Sequence, residues 1–166
     1  MKKQLLAISL LLSPSFVAAD QLERFEDVSN RMNALMAEMM AKEVDQAGGD
    51  GDIVRNAMPE EAWNDAVREA AVCILDRYDA AIGSDGIETM FDRMETLIVK
   101  AADMTITEFT ESEEMDLMQP EGISEDDSIA FMQECGMIAA QSEYMSSTGF
   151  SSALMEAYGS VEQEDQ

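Results

Sequence analysis

Apolar residues along this chain recur at steps of three and four, the spacing that gathers side chains on one face of an α-helix. The longest such pattern covers 59–82, where Trp63, Val67, Ala70, Ala71, Ile74, Leu75, Tyr78 and Ile82 share a face. Pro59 suits a first helical turn, where its missing N–H is not needed, and Glu60 and Glu61 would meet the positive end of the helix dipole. Upstream, Leu22, Phe25, Val28, Met32, Leu35, Met36 and Met39 mark a helix over about 21–45. On its wet side Asp20 and Arg24, Asp27 and Arg31, and Glu38 and Lys42 form acid-before-base pairs at i,i+4. Downstream, Gly83-Ser84-Asp85-Gly86 ends the central helix, and Asp85 with Glu88 has capping-box spacing. Ile87, Met90, Phe91, Met94, Leu97, Ile98 and Ala101 then carry a third helix, whose short link makes it an antiparallel neighbour of the second.

Past this point the periodicity weakens. Thr105, Ile106, Thr107, Phe109 and Thr110 have the β-branched and aromatic character of a strand. A lone strand would have no partner, so a continued or kinked helix to about Met118 is expected. Gln119-Pro120-Glu121-Gly122 is a turn, and Ser124 with Asp127 caps a further helix bearing Ile129, Met132, Cys135, Ile138 or Ala139, and Met145 on its apolar side. Gly149 interrupts that helix before a short last one with Phe150, Leu154, Ala157 and Tyr158. The pattern thus predicts an all-α fold, a small antiparallel bundle of four to five helices over 20–159, followed by a disordered acidic tail at 160–166.

Residues 1–19 do not belong to that bundle. Lys2 and Lys3, an apolar run over 5–12 and the small residues Val17-Ala18-Ala19 before Asp20 read as a cleavable signal peptide. The apolar run is too short to span a bilayer comfortably, so a periplasmic protein is expected, with full secretion the other outcome of the same signal. Export changes the reading of the two cysteines. In an oxidising compartment Cys73 and Cys135 are most simply a structural disulfide, which ties the central helix to a later one.

The charge is extreme: 35 acidic residues against 10 basic ones, a formal net charge of −25 that becomes −27 once Lys2 and Lys3 are removed. Such a surface repels nucleic acid and anionic headgroups and favours basic partners or divalent cations. Glu108, Glu111, Glu113, Glu114 and Asp116, then Glu121, Glu125, Asp126 and Asp127, form two acidic clusters that could gather Ca²⁺ or meet a basic surface, or simply be solvated helix faces. An EF-hand reading of the glycine-rich loop, with Asp50 first, Asp52 third and Glu61 twelfth, fails at Val54 and Arg55.

Histidine is absent, which excludes Ser-His-Asp and Cys-His nucleophilic systems and the usual catalytic zinc sets. No phosphate-binding loop, dinucleotide fingerprint or haem-attachment motif occurs, so no cofactor is expected. Met32, Met36, Met39 and Met40, among 15 methionines, offer thioethers suited to Cu(I), yet they fall on a stripe predicted to be buried, where Met serves as core filler. A paired-carboxylate hydrolase would need one acid in an apolar pocket, and no pattern in the sequence supplies it. The expected function is therefore a non-enzymatic periplasmic protein- or peptide-interaction protein, chaperone-like under acid or salt stress. A metal-handling protein and a carboxylate hydrolase are the alternatives. N-terminal sequencing of protein exported by a bacterial host should read Asp20-Gln21-Leu22, and a retained Lys2 and Lys3 would remove the export reading.

Overall fold

The computed structural model of the chain describes residues 17–59 and 63–164. Among these the only regular elements are helical: α1 (Val17–Gln46), α2 (Asp52–Ala57), α3 (Asp65–Ala101), α4 (Ile106–Thr110), a 3-10 turn (Glu113–Met118), α5 (Glu125–Glu134), α6 (Met137–Ser147) and α7 (Phe150–Glu164). The all-α class read from the periodicity is the one observed. Of the expected signal segment only Val17, Ala18 and Ala19 lie in the described residues, at the start of α1. The backbone of α7 runs on to Glu164, past the point where the sequence pattern ends the last helix.

The first long helix buries two faces, and only one of them was visible as a stripe. Met32, Leu35 and Met39 pack with Leu97, Ala101 and Phe109, while Ala37, Ala41 and Val44 pack with Val54, Phe150 and Ala157. Alanines at close helix contacts carry little hydrophobic signal, so the second face reads as neutral in sequence although Ala41 and Val44 are fully buried. That second face is covered by α2, a short helix that follows the glycine-rich loop and that the sequence pattern did not predict. Gly51 caps α2 at a place where a Cβ would lie 2.5 Å from the Ala41 carbonyl oxygen, so the close approach of α2 to α1 requires glycine there.

The central helix begins later than its apolar pattern implies. Pro59 does not open it: Met58 is extended, as residues before proline tend to be, and Asn64 is the N-cap, its side chain accepting a hydrogen bond from the Val67 N–H at 2.9 Å. Glu60 and Glu61 lie outside the described residues. Trp63 therefore precedes the helix, yet it is buried and packs edge-on against Phe25, with ring centroids 5.2 Å apart.

Within α3, Gly83 has φ 71° and ψ 172°, a conformation essentially reserved for glycine, with open space where a Cβ would sit. Its demand is on the backbone alone. Phe25 lies 5.2 Å from the ring of Trp63 and 5.9 Å from that of Phe91, whereas an unbroken helix would hold positions 63 and 91 about 40 Å apart. The chain accordingly folds back at Gly83, and 65–82 and 84–101 enclose one core with Ile74, Tyr78, Ile87, Met90 and Phe91 in it.

A second glycine corrects the C-terminal reading. The single helix expected from Ser124 to Gly149 is two, because Gly136 adopts the left-handed conformation at φ 74° and separates α5 from α6. Ser124 caps α5 as expected, accepting from the Asp127 N–H at 3.1 Å. Beyond the turn at Gly136 the apolar stripe is out of register and Ile138 is 48% exposed, while Ile129 on α5 is itself 39% exposed, so both lie outside the core to which the sequence assigned them. Thr105 and Glu108 form a complete capping box on α4, which decides helix over strand for this stretch.

Cys73 and Cys135 are disulfide-bonded, with Cα atoms 5.6 Å apart, so α3 is joined covalently to the α5–α6 corner. In the same core as Cys135, the rings of Tyr78 and Phe131 meet at a tilt with centroids 6.1 Å apart, and Met137 is buried. Closing a loop with a sequence separation of 62 is worth about 4 kcal/mol in the chain-entropy model. Replacing both cysteines by serine should lower the unfolding free energy by about that much in urea denaturation without loss of helix content. An unchanged midpoint would show that the bond does not constrain the unfolded chain.

Candidate functional site

The described residues contain eight basic side chains, the ten of the whole sequence less Lys2 and Lys3, and every one is engaged within the molecule. Arg24 reaches from α1 to three carboxylates of α3. It pairs with Glu88, with Asp92 at 2.7 Å and with Glu95 at 3.3 Å, and its guanidinium sits 5.3 Å from the centroid of the Phe91 ring. The hydrogen bond to Asp92 is the main reason its proton is held more tightly than usual, against the opposing effect of burial. Arg31 adds Asp27 at 3.5 Å and Glu95 at 3.9 Å.

Arg55 on α2 is the second clamp, joining Glu38 at 2.8 Å, Asp45 at 2.9 Å and Asp52 at 2.9 Å. Glu38 contributes most to holding its proton. Arg68 pairs with Glu26 at 2.6 Å, Arg77 with Glu134 at 3.2 Å, Arg93 with Glu121 at 2.5 Å, and Lys100 with Glu114 at 3.0 Å. Lys42 donates to the Ala102 carbonyl at 2.7 Å. Of the three helical i,i+4 pairs expected on α1, only Asp27 with Arg31 forms. Arg24 and Glu38 instead reach across to α3 and α2, where one cation meets several carboxylates at once.

The glycine-rich loop shows where its aspartates are spent. Asp45 accepts from the Gly51 N–H at 2.8 Å, Asp50 accepts from the Asp52 N–H at 3.0 Å, and Asp52 pairs with Arg55. The Gly51 hydrogen bond and then Arg55 hold the Asp45 carboxyl below the ordinary aspartate range. Among the described residues no three His, Cys, Asp or Glu side chains converge as a ligand set for a metal ion. In the acidic clusters, Glu108 closes the α4 capping box, Glu114 meets Lys100 and Glu121 meets Arg93. Glu125, Asp126 and Asp127 occupy the first turn of α5, where a helix N-terminus favours negative charge.

The four methionines with copper-binding chemistry are divided between two cores. Met32, Met36 and Met39 pack around Leu97 and Phe109, while Met40 faces the separate core formed with α2 and α7. Met32 and Met39 are buried at 7% and 0% exposure, each filling core volume.

The exposed surface is rich in carboxylates and also carries a few apolar side chains. Val99 is 73% exposed and stands beside Asp92, Glu95, Thr96 and Lys100 at a shallow depression of about 470 Å³. Met115 and Met118 emerge from the 3-10 turn, and Met155 and Tyr158 from α7. Burial and then the charge of Glu43 hold the Tyr158 hydroxyl above its usual range. Sequence reasoning missed the clamps because the partners of Arg24 lie more than 60 positions away. No periodic signal links such positions; the one usable hint was the scarcity of basic residues, each with many acids to choose from.

No protein-family model, curated protein or solved structure matches this chain. No helix among the described residues is long and apolar enough to cross a membrane.

Because the folded-state affinity of Asp45 for its proton is depressed, its stabilising contribution is complete above the ordinary aspartate range and is lost as pH falls through the folded value. In an NMR titration the Asp45 carboxyl should respond below the ordinary aspartate value, with the Gly51 amide losing protection in the same interval. Asp45→Asn keeps an oxygen for Gly51 and should abolish that pH dependence. A normal Asp45 titration would show that the α1–α2 clamp does not form in solution.

Proposed function

We propose that the mature chain is an exported, periplasmic, non-enzymatic interaction protein, an antiparallel helical bundle that takes a basic protein or peptide as its partner. One observation supports this above the rest: every basic side chain in the described residues is turned to an internal carboxylate or carbonyl. Each cation is thereby matched to carboxylates or a carbonyl of the same molecule, Arg77 and Lys100 while still half exposed, and the surface keeps a large net negative charge. Such a field steers cationic segments and repels nucleic acid and anionic lipid. The exposed side chains of Val99, Met115 and Met118 supply apolar contact of the kind an amphipathic basic segment would use.

An acid-responsive, chaperone-like form of the same activity follows from the material of the clamps. Both major cross-helix ties, at Arg24 and at Arg55, depend on ionised carboxylates. Protonation discharges the surface and weakens those ties together, which loosens α1 against α2 and α3 and uncovers apolar faces.

Calorimetric titration of the full chain with a basic amphipathic helical peptide should give saturable binding whose affinity falls roughly tenfold or more as salt is raised through the physiological range. An acidic peptide of matched hydrophobicity should give none. Flat thermograms with the basic peptide, or binding indifferent to salt and to peptide charge, would end this reading.

A further inference from the structure

Charge is distributed very unevenly along the chain. Positions 136–161 hold two acidic residues, Glu143 and Glu156, and no basic one, in a sequence with 35 acids. This stretch is α6 and most of α7, and its outer surface carries those two glutamates among apolar, small and uncharged polar side chains. Phe150, Leu154 and Ala157 turn α7 inward against Ala41, Val44 and Val54. On the neighbouring stripe Ser151, Met155 and Tyr158 follow one another at i, i+4 and i+7 and are all exposed, Met155 at 70% and Tyr158 at 37%.

We propose that this stripe of α7 is the contact surface for a second copy of the chain, paired about a two-fold axis. Two copies of so acidic a molecule repel wherever their carboxylate-covered faces approach, and no described basic side chain is left to pair with a partner's acids. The low-charge α7 face is where that repulsion is weakest. An isologous contact there presents the same apolar stripe to itself and points the acidic faces of both copies outward. The charge pattern also favours a like copy over a basic partner, which is drawn to the carboxylate-rich surface of α1 and α3. Ser151 beside Met155 leaves room for helices to approach closely, and Met155 supplies an adaptable apolar contact.

Sedimentation velocity on the full, disulfide-bonded chain tests this. The dimer fraction should rise with protein concentration and should rise further with salt, because screening removes the remaining repulsion between copies. Met155→Glu and Tyr158→Glu should each give a monomer with an unchanged circular dichroism spectrum. Val99→Glu places the same charge at an equally exposed valine on the acidic face and should leave the dimer intact. A monomer at every concentration and salt level, or a dimer equally indifferent to Met155→Glu, overturns the proposal. So does a monomer whose α7 amides gain protection from exchange only when a basic peptide is added, since the stripe then belongs to that partner.

Discussion

Self-repulsion is the constraint under which this fold is built. With 35 acidic residues and 10 basic ones, compaction brings like charges together faster than opposite ones. The fold answers by placing its few cations where each meets several carboxylates from different helices. Arg24 gathers acids along 84–101 against α1, and Arg55 gathers acids of α1 against α2. Isolated surface ion pairs contribute little, and most of these groups are partly exposed, so their value lies in where they hold helices more than in gross stability. Apolar burial supplies the stability, and the clamps relieve the charge at the seams.

Three glycines shape what is clamped. Gly83 lets the long helix fold back so that Trp63, Phe25 and Phe91 share a core, and Gly136 turns α5 into α6 at the disulfide. Gly51 brings α2 against α1. The Cys73–Cys135 bond then fixes the α5–α6 corner, an element with few fully buried side chains of its own, to the best-packed helix of the molecule. Core methionines fit this arrangement, since Met39 and Met90 fill irregular space between helices that meet at bends.

Among the described residues no three His, Cys, Asp or Glu side chains converge as metal ligands, and each cation is paired within the molecule. The molecule therefore presents two kinds of face, a carboxylate-rich one along α1 and α3 and a low-charge one along α6 and α7. In the reading proposed above, the first admits cationic segments and the second an uncharged, apolar surface.

By itself the sequence determined the helical class, the core stripe of 67–78, the serine cap at Ser124, and, from a chain with two cysteines, the Cys73–Cys135 bond. Each of these follows from local spacing or from a count of two. The register and reach of the helices were decided only by tertiary structure: the start of α3 at Asn64, the break at Gly136, the hidden helix α2, and the alanine face of α1. Helix was the expectation for the stretch after Thr105 in spite of its β-branched residues, and the Thr105 to Glu108 capping box is what starts it as a separate short helix. The partners of Arg24 and Glu38 were beyond any periodicity, because a charged side chain with many acids within reach takes the geometry that brings several together. Local pattern sets which residues can be helical, while long-range packing and electrostatics select where each helix ends and which face it turns inward.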